Sequence, residues 1–147
     1  MKVSIITITY NAENTIFNSL NSVFSQSHKN IEHIIVDGGS KDNTVKICKE
    51  FNHISKLISE PDKGVYDAFN KGLKLATGDI IGFLNADDVF FNENSVQEIA
   101  NAFSNTETDI VYGNLDYVNK EGKVIRNWIS GPYEKGLVKK AWKTAHP

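Results

Sequence analysis

The sequence has few of the features that would set it apart from ordinary intracellular globular proteins. Only one of its 147 residues is a cysteine, Cys48, which excludes an internal disulfide and a cysteine-based zinc site and suits a reducing compartment. No apolar run approaches the roughly 20 residues that span a bilayer, and the run at 3–8 is too short for a signal peptide. The net charge of -2 lacks the basic excess of a nucleic-acid binder. We therefore expect one soluble domain that binds no nucleic acid.

Strand and helix patterns alternate along the chain from its first residues. Strands are predicted at 3–9, 31–36, 55–59, 79–84 and 109–112, helices at 13–26, 44–51, 65–76 and 94–103, and a hairpin at 115–128. Alternating elements with short links imply right-handed crossovers. The predicted fold class is α/β, with a mainly parallel sheet flanked by helices and a C-terminal β-hairpin.

Four polar clusters interrupt this pattern, each directly after a predicted strand. They are Thr9-Tyr10-Asn11, Asp37-Gly38-Gly39-Ser40, Glu60-Pro61-Asp62-Lys63-Gly64 and Asn85-Ala86-Asp87-Asp88. The carboxyl ends of parallel strands share one edge of the sheet, where open α/β folds bind ligands. The sequence therefore predicts a binding site at that edge.

The last cluster, at 85–88, is the most informative. Adjacent carboxylates at Asp87 and Asp88 repel each other unless a cation or solvent offsets their charge. Mg²⁺ and Mn²⁺ prefer oxygen ligands and commonly bind one or two carboxylates together with substrate phosphates. The pattern favours a metal site, and a helix cap or a solvated turn is the alternative.

The first two clusters favour contacts to a flat ligand. Tyr10 can stack on a nucleobase, whereas Asn11 also suits a helix N-cap. Glycines 38 and 39 let the backbone approach a ligand closely, and Asp37 can accept a hydrogen bond from a base imide. The segment is neither a P-loop, because the GK[S/T] ending is missing, nor a dinucleotide fingerprint.

The third cluster and the helix after it mix two kinds of role. Asp62 is expected at the ligand edge, and Lys71 can meet phosphate charge. Asp67 and Lys71 are four residues apart on a predicted helix, so a plain surface ion pair is the alternative. His33 lies inside a predicted strand and is expected to be a packing residue.

Residues 3–113 resemble the family 2 inverting glycosyltransferases with the GT-A fold. Four strings carry the resemblance, in order: Ile5-Ile6-Thr7-Ile8-Thr9-Tyr10-Asn11, Val36-Asp37-Gly38-Gly39-Ser40-Lys41-Asp42-Asn43-Thr44, Ala68-Phe69-Asn70-Lys71-Gly72 and Gly82-Phe83-Leu84-Asn85-Ala86-Asp87-Asp88. The resemblance implies metal-dependent transfer of a sugar from a nucleoside diphosphate donor, a UDP-sugar above all, to a glycan or lipid-linked saccharide with inversion. Mn²⁺ or Mg²⁺ is the implied cofactor.

The resemblance also implies roles for individual residues. Thr9 and Tyr10 would border the nucleoside, Asp37 would bind a uracil-type base, and Asp62 would lie near the base or ribose. Asp87 and Asp88 would form the metal and ribose motif. Many relatives have Asp where Asn85 stands and Arg where Phe69 stands, so Lys71 is the possible cationic contact to the diphosphate.

Length is the larger departure from the family pattern. Relatives continue for about a hundred residues or more, so we expect a single domain whose residues 1–113 bind the donor and whose residues 114–147 begin the acceptor side. The catalytic base is expected beyond the chain end; Asp116 and Glu134 are the candidates within it. Relatives commonly work in bacterial surface polysaccharide assembly, which implies a cytoplasmic location and leaves open peripheral association with the inner face of the membrane and self-association.

Two other functions remain as alternatives. A non-catalytic nucleotide-sugar-binding module would keep the fold without turnover, and such a chain would bind donor without efficient transfer. A sugar-nucleotidyltransferase would need a glycine- and arginine-rich loop after the first strand, where the sequence has Thr9-Tyr10-Asn11-Ala12 instead.

Overall fold

The structure is a computed structural model that describes residues 1–105 and 107–131. The chain forms two compact units, Met1–Glu107 and a second that begins at Thr108. The assignment of residues 1–147 to a single domain stays a prediction. No helix in the described ranges combines the length and the apolar character needed to cross a bilayer.

The first unit is a parallel sheet covered by helices. Its elements are β1 Val3–Thr9, α1 Ile16–Phe24, β2 Ile31–Asp37, α2 Thr44–Cys48, β3 Ile54–Ser59, α3 Val65–Leu75, β4 Ile80–Phe83 and α4 Ser95–Ala102. The strand order is β3-β2-β1-β4, and every pairing is parallel. The predicted α/β fold with a mainly parallel sheet is confirmed.

Apolar side chains on both faces of β1 and β2 explain why this sheet is covered on two sides. Ile6, Ile34 and Val36 pack with Ala68 of α3 on one face. The other face packs against α1, α2 and α4, and its buried residues include Ile5, Ile35, Leu20, Cys48 and Val96. Strands buried on both faces read as nearly continuous apolar runs, which is the pattern of residues 34–36 and, apart from Ser4 and Thr7, of residues 3–8.

The second unit contains the predicted hairpin. Strands β5 Leu115–Val118 and β6 Val124–Trp128 pair antiparallel around a turn at Gly122, whose φ is 77°. The strand predicted at 109–112 is wrong, because these residues have no regular structure and Ile110 is 73% exposed. A strand requires a hydrogen-bonded neighbour, and no described strand pairs with this segment.

Candidate functional site

A cleft opens where the strand order reverses, between β1 and β4. The chain leaves β1 toward β2 and β3 and later returns to β4 on the other side, so the loops after β1 and β4 diverge there. The cleft, called the switch-point cleft below, encloses about 570 Å³. Its lining comprises Ile8, Thr9, Tyr10, Asn11, Ala12, Thr15, Asp62, Gly64, Val65, Ala68, Asn85, Ala86 and Asp87.

Seven of the predicted site residues meet in this cleft. They are Thr9, Tyr10, Asn11, Asp62, Asn85, Ala86 and Asp87. Thr9 is 6% exposed, and its hydroxyl oxygen Oγ1 has no hydrogen-bond partner within the described residues. A buried hydroxyl without a partner costs free energy unless a bound molecule or water satisfies it. Thr9, a residue of the cleft lining, therefore carries a buried hydroxyl without a partner among the described residues.

A second pocket adjoins the cleft and is called the glycine pocket below. It encloses about 420 Å³ and is lined by Tyr10, Gly38, Gly39, Lys41, Pro61 and Asp62. Tyr10 and Asp62 line both cavities and so form the wall that they share. The Tyr10 side chain is 61% exposed, which leaves its ring free to stack on a flat group.

Asp37 lies beneath the glycine pocket and does not line it. The residue is fully buried, and its Oδ2 accepts hydrogen bonds from the backbone N–H groups of Gly39 (3.1 Å) and Ser40 (2.9 Å) and from Ser59 Oγ (2.6 Å). The Ser40 hydroxyl donates to Oδ1. This carboxylate therefore organises the loop at 38–40, which explains an aspartate at a buried strand end. Its contact to a base stays a prediction.

Asn11 connects the loops that follow β1 and β2. Its backbone has a φ of 49°, a region that asparagine tolerates better than most residues. Ser40 Oγ accepts a hydrogen bond from the Asn11 N–H (2.8 Å), and Asn11 Oδ1 accepts one from the Lys41 N–H (2.9 Å). These reciprocal bonds fix the neighbouring Tyr10 relative to the glycine pocket.

The turn at 85–88 carries the two predicted metal ligands. The Asp88 N–H donates to the Asn85 carbonyl (3.1 Å), and Asn85 Nδ2 donates to Asp88 Oδ2 (3.0 Å). Partial burial raises the pKa of the Asp88 carboxyl, the Asn85 hydrogen bond opposes this shift, and the charge of Asp87 adds to it. A bound cation would relieve this repulsion, so the donor set fits a divalent metal.

No group of three or more acidic, histidine or cysteine side chains that could hold a metal occurs within residues 1–105 and 107–131. In proteins Mg²⁺ usually binds one or two carboxylates and takes its other ligands from water and substrate phosphates. Asp87 lines the switch-point cleft, so an ion at this turn would border a molecule bound there.

Lys71 lies outside both cavities. Its Nζ is 2.9 Å from Glu60 Oε1 and 3.6 Å from Asp67 Oδ2, and it donates to the Pro61 carbonyl (3.0 Å). The hydrogen bond to Glu60 and the two carboxylate charges raise the pKa of Lys71. Lys71 thus holds the loop after β3 against α3, and its contact to a diphosphate stays a prediction.

Several cleft residues were not predicted from the sequence, notably Ala12, Thr15 and Val65, and Gly64 was predicted only as a member of the third polar cluster. Gly64 and Val65 begin α3, and Gly64 has a φ of 107°, which favours glycine. The first N–H groups of a helix lack intrahelical partners and attract anions. The signal in the sequence was the single glycine directly before an amphipathic helix.

Both candidate bases fall in residues 108–147, the second unit of the chain. Asp116 belongs to β5 in the second unit and accepts a hydrogen bond from Asn127 Nδ2 (2.7 Å). Glu134 lies outside the described residues.

A parallel sheet with a polar cleft at its switch point defines the class of open α/β proteins, which bind their ligands at this position. The family model for glycosyl transferase family 2 matches residues 4–147. The chain therefore belongs to glycosyl transferase family 2, which confirms the resemblance carried by the four strings.

Relatives with similar sequences are glycosyltransferases. The chain is 37% identical over 124 residues to the UDP-Glc:alpha-D-GlcNAc-diphosphoundecaprenol beta-1,3-glucosyltransferase WfgD of Escherichia coli, covering 83% of this chain and 49% of that protein. It is 38% identical over 117 residues to a PGL/p-HBAD biosynthesis glycosyltransferase of Mycobacterium bovis, covering 76% of this chain and 46% of that protein. The chain thus spans less than half the length of these relatives.

Two solved structures resemble the fold. TarS of S. aureus, in complex with UDP-GlcNAc, has a TM-score of 0.65 and 29% identity over 71% of this chain and 31% of that one. The mannosyltransferase PcManGT of Pyrobaculum calidifontis, in complex with GDP-Man and Mn²⁺, has a TM-score of 0.62 and 25% identity over 81% of this chain and 36% of that one.

Proposed function

We propose that this chain is the donor-binding part of a glycosyltransferase that transfers a sugar from a nucleoside diphosphate sugar, a UDP-sugar above all. The acceptor is a glycan or a lipid-linked saccharide, and transfer inverts the anomeric carbon. Relatives whose names or structures include UDP-Glc, UDP-GlcNAc and GDP-Man support a donor of this class.

The observation that carries the proposal is the convergence of the four loops on two adjoining cavities. One cavity offers an exposed tyrosine ring and glycine backbone, which suit a base. The other offers the unpartnered Thr9 hydroxyl, the first turn of α3 and Asp87, which suit a ribose, a diphosphate and a metal. A nucleoside diphosphate has the same succession of groups.

Asp87 and Asp88 would hold the metal through their carboxylates. A divalent cation at this position supplies the positive charge that stabilises the leaving diphosphate. The N–H groups in the first turn of α3 bind diphosphate oxygens on the opposite side. Transfer also requires a carboxylate that takes the proton of the acceptor hydroxyl, and we place this base outside the residues that line the cleft.

A non-catalytic nucleotide-sugar-binding module remains the second candidate for this chain by itself. It is supported by the lining of the switch-point cleft, in which Asp62 and Asp87 are the only carboxylates among the described residues and both have binding roles in the proposal. Family membership supports the transferase over a sugar-nucleotidyltransferase.

Calorimetric titration of the chain with UDP tests the proposal. The titration is done once in the presence of Mn²⁺ and once in the presence of EDTA. We expect Mn²⁺-dependent binding that Asp87→Asn weakens about tenfold or more, because hydrogen bonds and contacts to charged groups contribute about 1.5–3 kcal/mol. Asp79→Asn is the matched control, since Asp79 precedes β4 at the opposite edge of the sheet and accepts a hydrogen bond from the Lys2 N–H. A folded sample that binds no nucleoside diphosphate with Mn²⁺ would refute the proposal.

A further inference from the structure

Two aspartates lie close to the glycine pocket, and only one of them is available to a bound molecule. Asp37 is fully buried, and its two carboxylate oxygens together accept four hydrogen bonds from Gly39, Ser40 and Ser59. A base could reach this carboxylate only if the loop at 38–40 were dismantled. Asp37 therefore supports the pocket from below.

Asp62 has the opposite environment. Its Oδ1 accepts a hydrogen bond from the Gly64 N–H (2.8 Å), whereas Oδ2 accepts none within the described residues. A Cβ atom added at Gly38 would stand 2.6 Å from Asp62 Oδ2 and 3.4 Å from Tyr10 Cδ2. The missing side chain at Gly38 thus leaves a space that is bordered by both the free oxygen of Asp62 and the tyrosine ring.

We propose that Asp62, through Oδ2, is the residue that selects the nucleobase of the donor, and that it selects a uracil-type base. This inference rests on the proposed function, because it assumes that the glycine pocket receives the base of a nucleoside diphosphate. Tyr10 stacks on the ring while Oδ2 accepts the hydrogen bond of the imide N–H.

The chemistry of the bases explains the selection. Uracil presents one N–H between two carbonyl groups, and a single carboxylate oxygen accepts it. Cytosine presents a lone pair at the same ring nitrogen, which a carboxylate oxygen repels. Guanine presents two adjacent donors that a carboxylate would bind with both oxygens, and the Gly64 N–H already occupies one of them.

The test is Asp62→Asn, with binding of UDP, CDP and GDP measured by calorimetry in the presence of Mn²⁺. The Gly64 N–H retains the amide oxygen of the new side chain, so the amide NH₂ group faces the pocket as a donor. We expect UDP to bind about tenfold or more weakly and CDP to bind more tightly than to the wild type. The preference between UDP and CDP should therefore invert.

Two matched variants separate base selection from charge and from folding. Asp67→Asn removes a partly buried carboxylate of α3 that lines neither cavity and should leave the UDP:CDP ratio unchanged. Asp37→Asn should lower the free energy of unfolding, and it should not invert the UDP:CDP ratio. Gly38→Ala offers a second approach: its methyl group displaces Oδ2, so the ratio should fall with the carboxylate still present.

Equal weakening of UDP and CDP by Asp62→Asn would overturn the inference, as would inversion of the ratio by Asp37→Asn. If Asp62→Asn does not fold, an unchanged ratio in Gly38→Ala overturns it instead. Wild-type chain that binds UDP and CDP equally well contradicts base selection by Asp62 and leaves the proposed function intact. Wild-type chain that binds none of the three nucleotides contradicts the proposed function itself.

Discussion

Lowering the pH from 7 to 5 is expected to destabilise the first unit mainly through the buried His33, which contacts the half-buried His53. His33 is fully buried on β2, where its Nε2 lies 3.0 Å from Thr7 Oγ1 and its Nδ1 lies 3.0 Å from His53 Nε2. Burial lowers the pKa of His33 from 6.5 to about 3, and repulsion from His53 adds to this shift. Burial also lowers the pKa of His53. At pH 7 both rings are therefore neutral in the folded protein.

The magnitude follows from the difference between the folded and the unfolded pKa. Below pH 6.5 the unfolded chain binds a proton at His33, whereas the folded chain binds this proton only at about pH 3. The contribution of neutral His33 to the free energy of unfolding is therefore fully present above pH 6.5. Below this pH the free energy of unfolding falls by up to about 1.4 kcal/mol per pH unit. Between pH 7 and pH 5 the loss from His33 is about 2 kcal/mol. Glu32 acts in the same direction only at lower pH, since its folded pKa is about 2 against 4.5.

Urea denaturation at pH 7 and at pH 5, followed by circular dichroism, measures this difference. His33→Gln should be less stable at pH 7 and should lose about 2 kcal/mol less on acidification. His28→Gln, on the loop between α1 and β2, controls for the loss of an imidazole elsewhere. A wild-type change below about 0.5 kcal/mol, or an equal fall in His33→Gln, would refute the reasoning.

Three further predictions concern packing, the cleft and the cysteine. Gly72→Ala should lower the free energy of unfolding measured in urea by about 1 kcal/mol, because its methyl group would clash with the Ile6 side chain. This overpacking outweighs the gain in helix propensity. A more stable variant would contradict the prediction. Thr9→Val should leave thermal stability equal or higher while weakening UDP binding in calorimetry, because it removes an unpartnered buried hydroxyl; unchanged UDP affinity would contradict a ligand role for that hydroxyl. Cys48 should resist iodoacetamide in the folded chain, because burial, with a smaller effect from the charge of Asp37, raises its pKa to about 11; modification detected by mass spectrometry before unfolding would count against it.

The sheet could be predicted from the sequence because its strands have a distinctive local composition of β-branched and apolar residues. The β-branched run at β1 and the apolar run at β2 each gave a strand whose observed bounds differ by at most one residue from those predicted. The segment at 109–112 has the same kind of composition and forms no strand. Composition reports a tendency toward burial, whereas a strand also requires a partner, which the local sequence does not specify.

The grouping of the predicted site residues at one edge of the sheet could be predicted for a similar reason. The position of Thr9 and Asp87 at strand ends follows from the parallel topology, and both line the switch-point cleft. Residue type did not indicate which hydrogen bonds each side chain would already have. Ser59, on a different strand, occupies one oxygen of Asp37, and Glu60 pairs with Lys71. Such long-range partners decide which polar groups remain available to a bound molecule.

The pairing of β1 with β4 has a consequence for the order of events during synthesis. Val3 pairs with Ile80, so this edge of β1 can pair only after a segment that is translated much later has been made. Loops contributed by β1, β2 and β3 can approach one another earlier, but the wall that contains Asp87 joins them only when β4 docks. A nascent chain that ends before residue 80 therefore lacks the Asp87 side of the switch-point cleft, and this cleft is complete only after the distant pairing has formed.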